Sequence, residues 1–257
     1  MKFVSKGLKF IFSIYGFIIF LVVMFILLPF FIIAFSMKPL KGGNLVIQLS
    51  RIWARVFFFF TLIKSEKIYE EKPDETKEYI FVTNHISYID IPMMMVVTEG
   101  KNVRILGKAE MTKIPVFGSI YKRGTVSVNR DNADERAQSV KKLIKFINKK
   151  ISILICPEGT FNKTNEPLKF FYDGTFRIAI ETQKPIKPIL FLDTYNRLNH
   201  NSLFSLTPGK SRAVFLPETS TIGLKIEDLS FLKETIFKQM ENGLLKYKAD
   251  WIGKSVE

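Results

Sequence analysis

The chain has 257 residues, enough for one sizeable domain with an attachment element and tight for two separate cores. A hydrophobic fraction of 47% excludes a disordered chain, and one cysteine with two histidines excludes a disulfide framework and a Cys/His zinc cluster. Lys and Arg (38) outnumber Asp and Glu (24), and the formal net charge of +14 points to nucleic acid, an anionic membrane surface or a phosphorylated substrate.

The first predicted element decides between these. Phe10 to Met37 holds no charged residue and is dominated by Phe, Ile, Leu and Val. As one helix it reaches roughly 42 Å at about 1.5 Å per residue, beyond the roughly 30 Å of a hydrocarbon core. Pro29 interrupts the run, which predicts a kinked span or a re-entrant hairpin. The run is too long for a cleaved signal peptide, and no small-x-small site follows it. Residues 1–70 carry nine Lys or Arg and two acids, half of the whole surplus, so the basic balance is directed at a membrane and not at nucleic acid. Lysines precede the run, and Lys38, Lys41, Arg51 and Arg55 follow it. The positive-inside comparison is nearly a tie, which a hairpin returning to the cytoplasmic face satisfies. Asn44–Ile63 reads either as a core helix of the following domain or as a helix in the headgroup region. Arg51, Arg55, Trp53 and Phe57–Phe60 favour the second.

Residues 1–63 are therefore expected to form membrane-associating helices and residues 64–257 an α/β domain, with the polar, turn-like stretch Glu66–Lys77 near the junction. Tyr79–Thr83, Thr125–Val128, Ile151–Ile155 and Ile189–Leu192 read as strands. Asn132 starts a helix with Glu135 as its capping-box partner, and apolar residues at helical spacing from Ile226 to Leu244 predict a last amphipathic helix. Strands alternating with helices imply a mixed, largely parallel sheet flanked by helices.

Three segments carry candidate chemistry, each with a bland alternative. Asn84-His85-Ile86-Ser87-Tyr88-Ile89-Asp90 follows a strand end, where open α/β sheets present functional groups. With His85 in the loop and Asp90 in the first helical turn, the carboxylate can hold the imidazole in one tautomer and leave the other nitrogen to accept a proton. The alternative is a Ser87/Asp90 capping box with His85 filling a loop. Cys156-Pro157-Glu158-Gly159-Thr160 follows another strand and places a carboxylate, a flexible glycine and a hydroxyl together; alone it is as readily an ordinary turn. Cys156, at the end of an apolar strand, reads as a buried thiol. Lys108 and the stretch Gly124–Arg130 could deliver cations to phosphate, although Arg130 alone reads as a surface arginine. His200, in a polar stretch with no strand before it, reads as a surface histidine.

Taken in order, these blocks resemble the glycerolipid acyltransferase family. NHISYID is similar to its N-H-x4-D block, GTVSVNR to its glycine-to-arginine block, CPEGT to its F-P-E-G-T block, and Lys184–Ile189 to its closing V-P-I-x-P-V block, with the likeness running from about Trp53 to about Leu245. The resemblance implies transfer without an acyl-enzyme. His85 would remove the proton from an acceptor hydroxyl, Asp90 would orient the imidazole, and the oxygen would attack the thioester of acyl-CoA or acyl-carrier protein. Glu158 and Gly159, with Thr160 beside them, would position the glycerol-phosphate part of a lysophospholipid acceptor. Arg130 would contact its phosphate and Lys108 would add positive charge. No metal and no cofactor beyond the acyl thioester is implied. The location expected is the cytoplasmic face of the inner (plasma) membrane. Cys156 stands where the family has Phe, Phe161 where an arginine often follows, and Phe170–Gly174 lacks the usual lysine before the glycine, with Lys163, Lys169 or Arg177 as substitutes. Another lysolipid acceptor, a thioesterase and a silent lipid-binding protein are the competing readings.

Overall fold

The apolar run folds as one helix, α1 (Lys6–Ser36), which continues through Pro29. The structure is a computed structural model that describes residues 6–129 and 131–253. After a turn at Met37–Lys38 the chain reverses into α2 (Pro39–Phe60), with Pro39 at the first helical position, where its missing N–H is harmless. Trp53 packs edge-on against Phe20 at 4.9 Å, and the Tyr15 hydroxyl donates to the Phe60 carbonyl, so the two helices are antiparallel. The hairpin thus lies one element later than the sequence suggests. Pro29 removes one hydrogen bond without reversing the chain, and α2 packs on the stripe of α1 on either side of it, Val23, Leu27, Phe31 and Ala34.

The α2 helix also corrects the headgroup reading of Asn44–Ile63. Val46, Leu49 and Ala54 are buried between α1 and the domain, and Arg51 is buried too. The Arg51 guanidinium donates to the carbonyls of Thr98 (2.6 Å) and Lys101, and Arg55 pairs with Glu99. Cations that suggested lipid contact instead satisfy carbonyls and a carboxylate at the end of the next helix. Arg123 plays the same part for α1, donating to the Ala34, Phe35 and Met37 carbonyls.

The domain is built on a seven-stranded sheet. Its strands are β1 (Ile63–Tyr69), β2 (Ile80–Thr83), β3 (Val103–Lys108), β4 (Thr125–Val128), β5 (Ser152–Ile155), β6 (Ile186–Phe191) and β7 (Gly209–Phe215). Their order is β1-β7-β6-β2-β5-β3-β4, and every pairing is parallel except β6 with β7. β1 takes up part of the stretch read as a turn, because this outer strand carries Lys64, Ser65, Glu66 and Lys67 and shows no apolar pattern. The central strands are buried on both faces and alternate between them. Ile80, Val82, Ile153 and Leu190 face α5 (Ala133–Ile147), α6 (Gly174–Thr182) and α8 (Leu229–Lys246). Phe81, Leu154, Ile189 and Phe191 face α2 and α3 (Asp90–Val97). Two short helices, α4 (Phe117–Gly124) and α7 (Thr194–Arg197), complete the layers. Asn132 caps α5 as expected, its Oδ1 accepting from the Asp134 and Glu135 main-chain N–H groups.

Candidate active site

The C-terminal ends of β6, β2, β5, β3 and β4 share one edge of the sheet, and the candidate residues follow three of these strands. The segment after β2 is pinned at nearly every polar group. Asn84 reads both main-chain groups of Phe191 on β6: its Nδ2 donates to the carbonyl (3.0 Å) and its Oδ1 accepts the N–H (2.8 Å). The chain then turns, and His85 Nδ1 lies 2.9 Å from Asp90 Oδ2. The same oxygen accepts the N–H groups of Ile86 (2.7 Å) and Ser87 (2.8 Å). Ser87 Oγ accepts from the Ile89 N–H, so half of a capping box and the histidine pairing coexist on one carboxylate. Asp90 is fully buried, whereas the His85 side chain keeps 18% exposure, enough to meet a substrate.

The segment after β5 closes over this loop. Glu158 is fully buried; its Oε1 accepts the His85 N–H (2.8 Å) and its Oε2 the Lys169 N–H (2.9 Å). Burial pushes its carboxyl up to about 8, against the pull of those two N–H donors, and the charge of Asp90 adds to the rise. Asn162 returns its N–H to the His85 carbonyl at 2.7 Å, so both main-chain groups of His85 are held by this one segment. Gly159 sits at a φ of 76°, a left-handed conformation that favours glycine, and its N–H is used by the Cys156 carbonyl. The Glu158 carboxyl thus holds the main chain of His85 and Lys169, and the Gly159 N–H closes the turn. Thr160 remains exposed, with its Oγ1 2.8 Å from Lys169 Nζ.

Aromatic rings roof the imidazole. Phe161 lies 4.3 Å from His85 between ring centroids, 5.0 Å from Tyr88 and 5.9 Å from His200. His200 is half-buried at the site and is not the surface residue its polar neighbours suggest. Its Nδ1 donates to the Ile86 carbonyl at 3.1 Å. It arrives there because Ser87 pairs with Asn199 in an isolated bridge and donates from Oγ to the Leu198 carbonyl. The same loop continues to α1, where the Phe204 ring lies tilted against Phe10 at 4.9 Å and the Leu206 N–H donates to Ser13. Cys156 is only half-buried, 3.2 Å from the Thr83 hydroxyl. Lys108 is exposed at the end of β3, two places from β2 and about 10 Å away at about 4.8 Å per strand. Arg130 lies outside the described residues.

A family model described as acyltransferase matches residues 61–192, more than half of the chain, and spans the segments after β2 and β5. The chain belongs to the acyltransferase family. Among similar proteins, this acyltransferase is 33% identical over 126 residues to a 1-acyl-sn-glycerol-3-phosphate acyltransferase of Cocos nucifera, covering 48% of this chain but only 40% of that protein. It is 28% identical over 169 residues to the protein of that name from Haemophilus influenzae, covering 65% of this chain and 69% of the relative. The fold matches a solved 1-acyl-sn-glycerophosphate acyltransferase from Thermotoga maritima with a TM-score of 0.73 at 20% identity, over 95% of this chain and 99% of the other.

Of the three cations considered as substitutes in this acyltransferase, only Lys169 bonds to the site residues above. Arg177 is paired with Glu181 on α6 at 2.6 Å, and Lys163 lines a small cavity beside His200. His200 and Lys169 are the residues that local sequence places least well. Their links run through the Ile86 carbonyl and the Glu158 carboxylate, which no spacing rule reports.

Proposed function

We propose that this acyltransferase works at a membrane surface and moves a fatty acyl group from acyl-CoA or acyl-carrier protein to the free hydroxyl of 1-acylglycerol 3-phosphate, forming phosphatidate. The observation that carries the reading is the 2.9 Å His85–Asp90 pair beneath an exposed edge of the imidazole. A carboxylate only accepts, so Nδ1 bears a proton and Nε2 keeps its lone pair. Nε2 takes the hydroxyl proton as the acceptor oxygen bonds to the thioester carbonyl carbon, and Asp90 stabilises the imidazolium. Collapse of the tetrahedral adduct breaks the C–S bond. The departing sulfur takes the proton back from His85, leaving the base neutral and the acyl group never bound to the protein. The names of the relatives suggest the acceptor.

The membrane part of the reading rests on α1, which is long and apolar enough to cross a bilayer by length and composition. Its exposed side carries Phe17, Val22, Phe25 and Ile33, while the other side is packed along α2. That arrangement favours a helix lying along the cytoplasmic leaflet with its exposed stripe in the acyl layer. Substrates whose burial is worth about 0.8 kcal/mol per CH₂ would then reach His85 without crossing water. Phe161, where the family resemblance often has an arginine, and the lysine missing from Phe170–Gly174 favour a second reading in which the acceptor is another lysolipid.

The test is labelled acyl-CoA, or labelled acyl-carrier protein, offered with a panel of lysolipids on vesicles carrying the full chain. Phosphatidate as the main product supports the proposal, and a different diacyl lipid moves the acceptor. Free fatty acid alone would make the protein a hydrolase, and no product would make it a lipid-binding protein.

A further inference from the structure

The acceptor's phosphate lies only a few bonds from the hydroxyl that reacts, so it has to be met by donors close to His85 but not on it. Phe161 cannot supply them. Its ring lies tilted against the imidazole, 4.3 Å between centroids, and presents an apolar surface there. Arg177 is engaged by Glu181, Lys163 lines the small cavity beside His200, and Lys108 ends a strand two places from β2.

We infer that Lys169, together with the Thr160 hydroxyl, forms the subsite for the acceptor's anionic headgroup; the inference rests on the acceptor proposed above. The main-chain N–H of Lys169 is held by Glu158 Oε2 at 2.9 Å, and Oε1 of the same fully buried carboxyl holds the His85 N–H at 2.8 Å. One rigid group therefore registers the cation against the base. The Lys169 side chain then reaches outward, and its Nζ donates to Thr160 Oγ1 at 2.8 Å. An ammonium has three protons, so two remain for phosphate oxygens, and a hydroxyl that accepts from the ammonium keeps its own proton to donate. Thr160 adjoins Phe161 in the chain, which puts this donor pair next to the roof over the imidazole. The cation missing after the threonine is thus replaced from the loop that precedes α6. Lys169 is a binding residue and takes no proton in the reaction.

The experiment compares Lys169→Met and Lys169→Arg with the natural chain on vesicles, using 1-acylglycerol 3-phosphate and the uncharged 1-monoacylglycerol as acceptors. Inhibition by glycerol 3-phosphate is read in parallel. Removing a charge-assisted hydrogen bond should raise KM for the phosphate acceptor by about tenfold to a hundredfold. The inhibition should weaken by the same factor, while kcat and the thermal midpoint stay as they were. Lys169→Arg should restore most of the loss, and added salt should narrow the difference between Met and Lys. An unchanged KM and unchanged inhibition in Lys169→Met, with the natural chain active on the phosphate acceptor, would overturn the inference alone. Equal losses on both acceptors would also overturn it, since they would make Lys169 a mere brace of the loop. A natural chain that ignores 1-acylglycerol 3-phosphate while acylating another lipid would overturn this inference and the proposed function together.

Discussion

Two groups of carboxylates at opposite edges of the sheet are held in opposite ways. At the edge where β6 and β2 begin, three acids meet lysines: Glu71 pairs with the buried Lys187, Glu78 with Lys184 at 2.9 Å, and Glu218 with Lys77 at 2.7 Å. Those lysines hold Glu71 and Glu78 below the usual carboxylate range. At the other edge Asp90 and Glu158 are buried without a lysine or arginine hydrogen-bonded to them, and their partners are main-chain N–H groups and one imidazole. A cation neutralises the charge in those three pairs, as Arg212 does for Asp193 at 2.7 Å just beyond β6. Around Asp90 the partners are N–H dipoles instead, and a permanent cation there would oppose the imidazolium that the proposed reaction forms on His85.

Substitutions at the two edges should therefore differ in kind. The largest effect is expected from Asp90→Asn, which keeps the shape but removes the charge that stabilises the imidazolium; kcat should fall by about 10²–10⁴-fold with the fold intact. A small change in kcat would break the comparison by showing that the buried acid is only a loop brace. Glu158→Gln comes next. The glutamine amide turns a donor toward one of the two N–H groups that the carboxyl accepts, and the unsatisfied donor should cost about 1–3 kcal/mol, read as a kcat loss of up to about a hundredfold.

The two edges should also respond to pH with opposite signs. The folded chain keeps a proton on Glu158 up to about pH 8, whereas the unfolded chain gives it up near the ordinary value of 4.5. Its contribution to stability is therefore complete at low pH and is lost as the pH climbs between those values. In Glu158→Gln, the decline of the denaturation midpoint over that window should flatten. Glu71 behaves in reverse: its lowered pKa stabilises the fold above the ordinary carboxylate range and is lost as acid is added. Glu71→Gln should be the mildest of the set for activity. It leaves Lys187 buried without its carboxylate, with a stability loss of about 1–3 kcal/mol because Glu71 itself is half-exposed, and it should leave kcat unchanged. Denaturation curves and turnover measured on the same samples separate these outcomes.

How much of this is legible in the sequence depends on how far apart the partners are. The His85–Asp90 pair needs only a loop and one helical turn, and the strands that present it are apolar runs between turn residues. The capped start of α5 and the buried stripe of α8, from Leu232 to Leu244, are local patterns too. What escapes is set by distant chain. Arg51 on an apolar helix suggests a lipid headgroup until the Thr98 and Lys101 carbonyls are seen around it. Glu158 is identifiable as a site residue, but not that both of its oxygens are used internally, since one donor follows β2 and the other precedes α6. His200 joins the site through one carbonyl and one ring, contacts that leave no mark in its own neighbourhood.

The most direct measurement is transfer of labelled acyl groups from acyl-CoA to 1-acylglycerol 3-phosphate by His85→Ala bound to vesicles, with the natural chain beside it. The account predicts unchanged vesicle binding and no labelled phosphatidate above background from the variant. Phosphatidate formed by His85→Ala at the rate of the natural chain would contradict it.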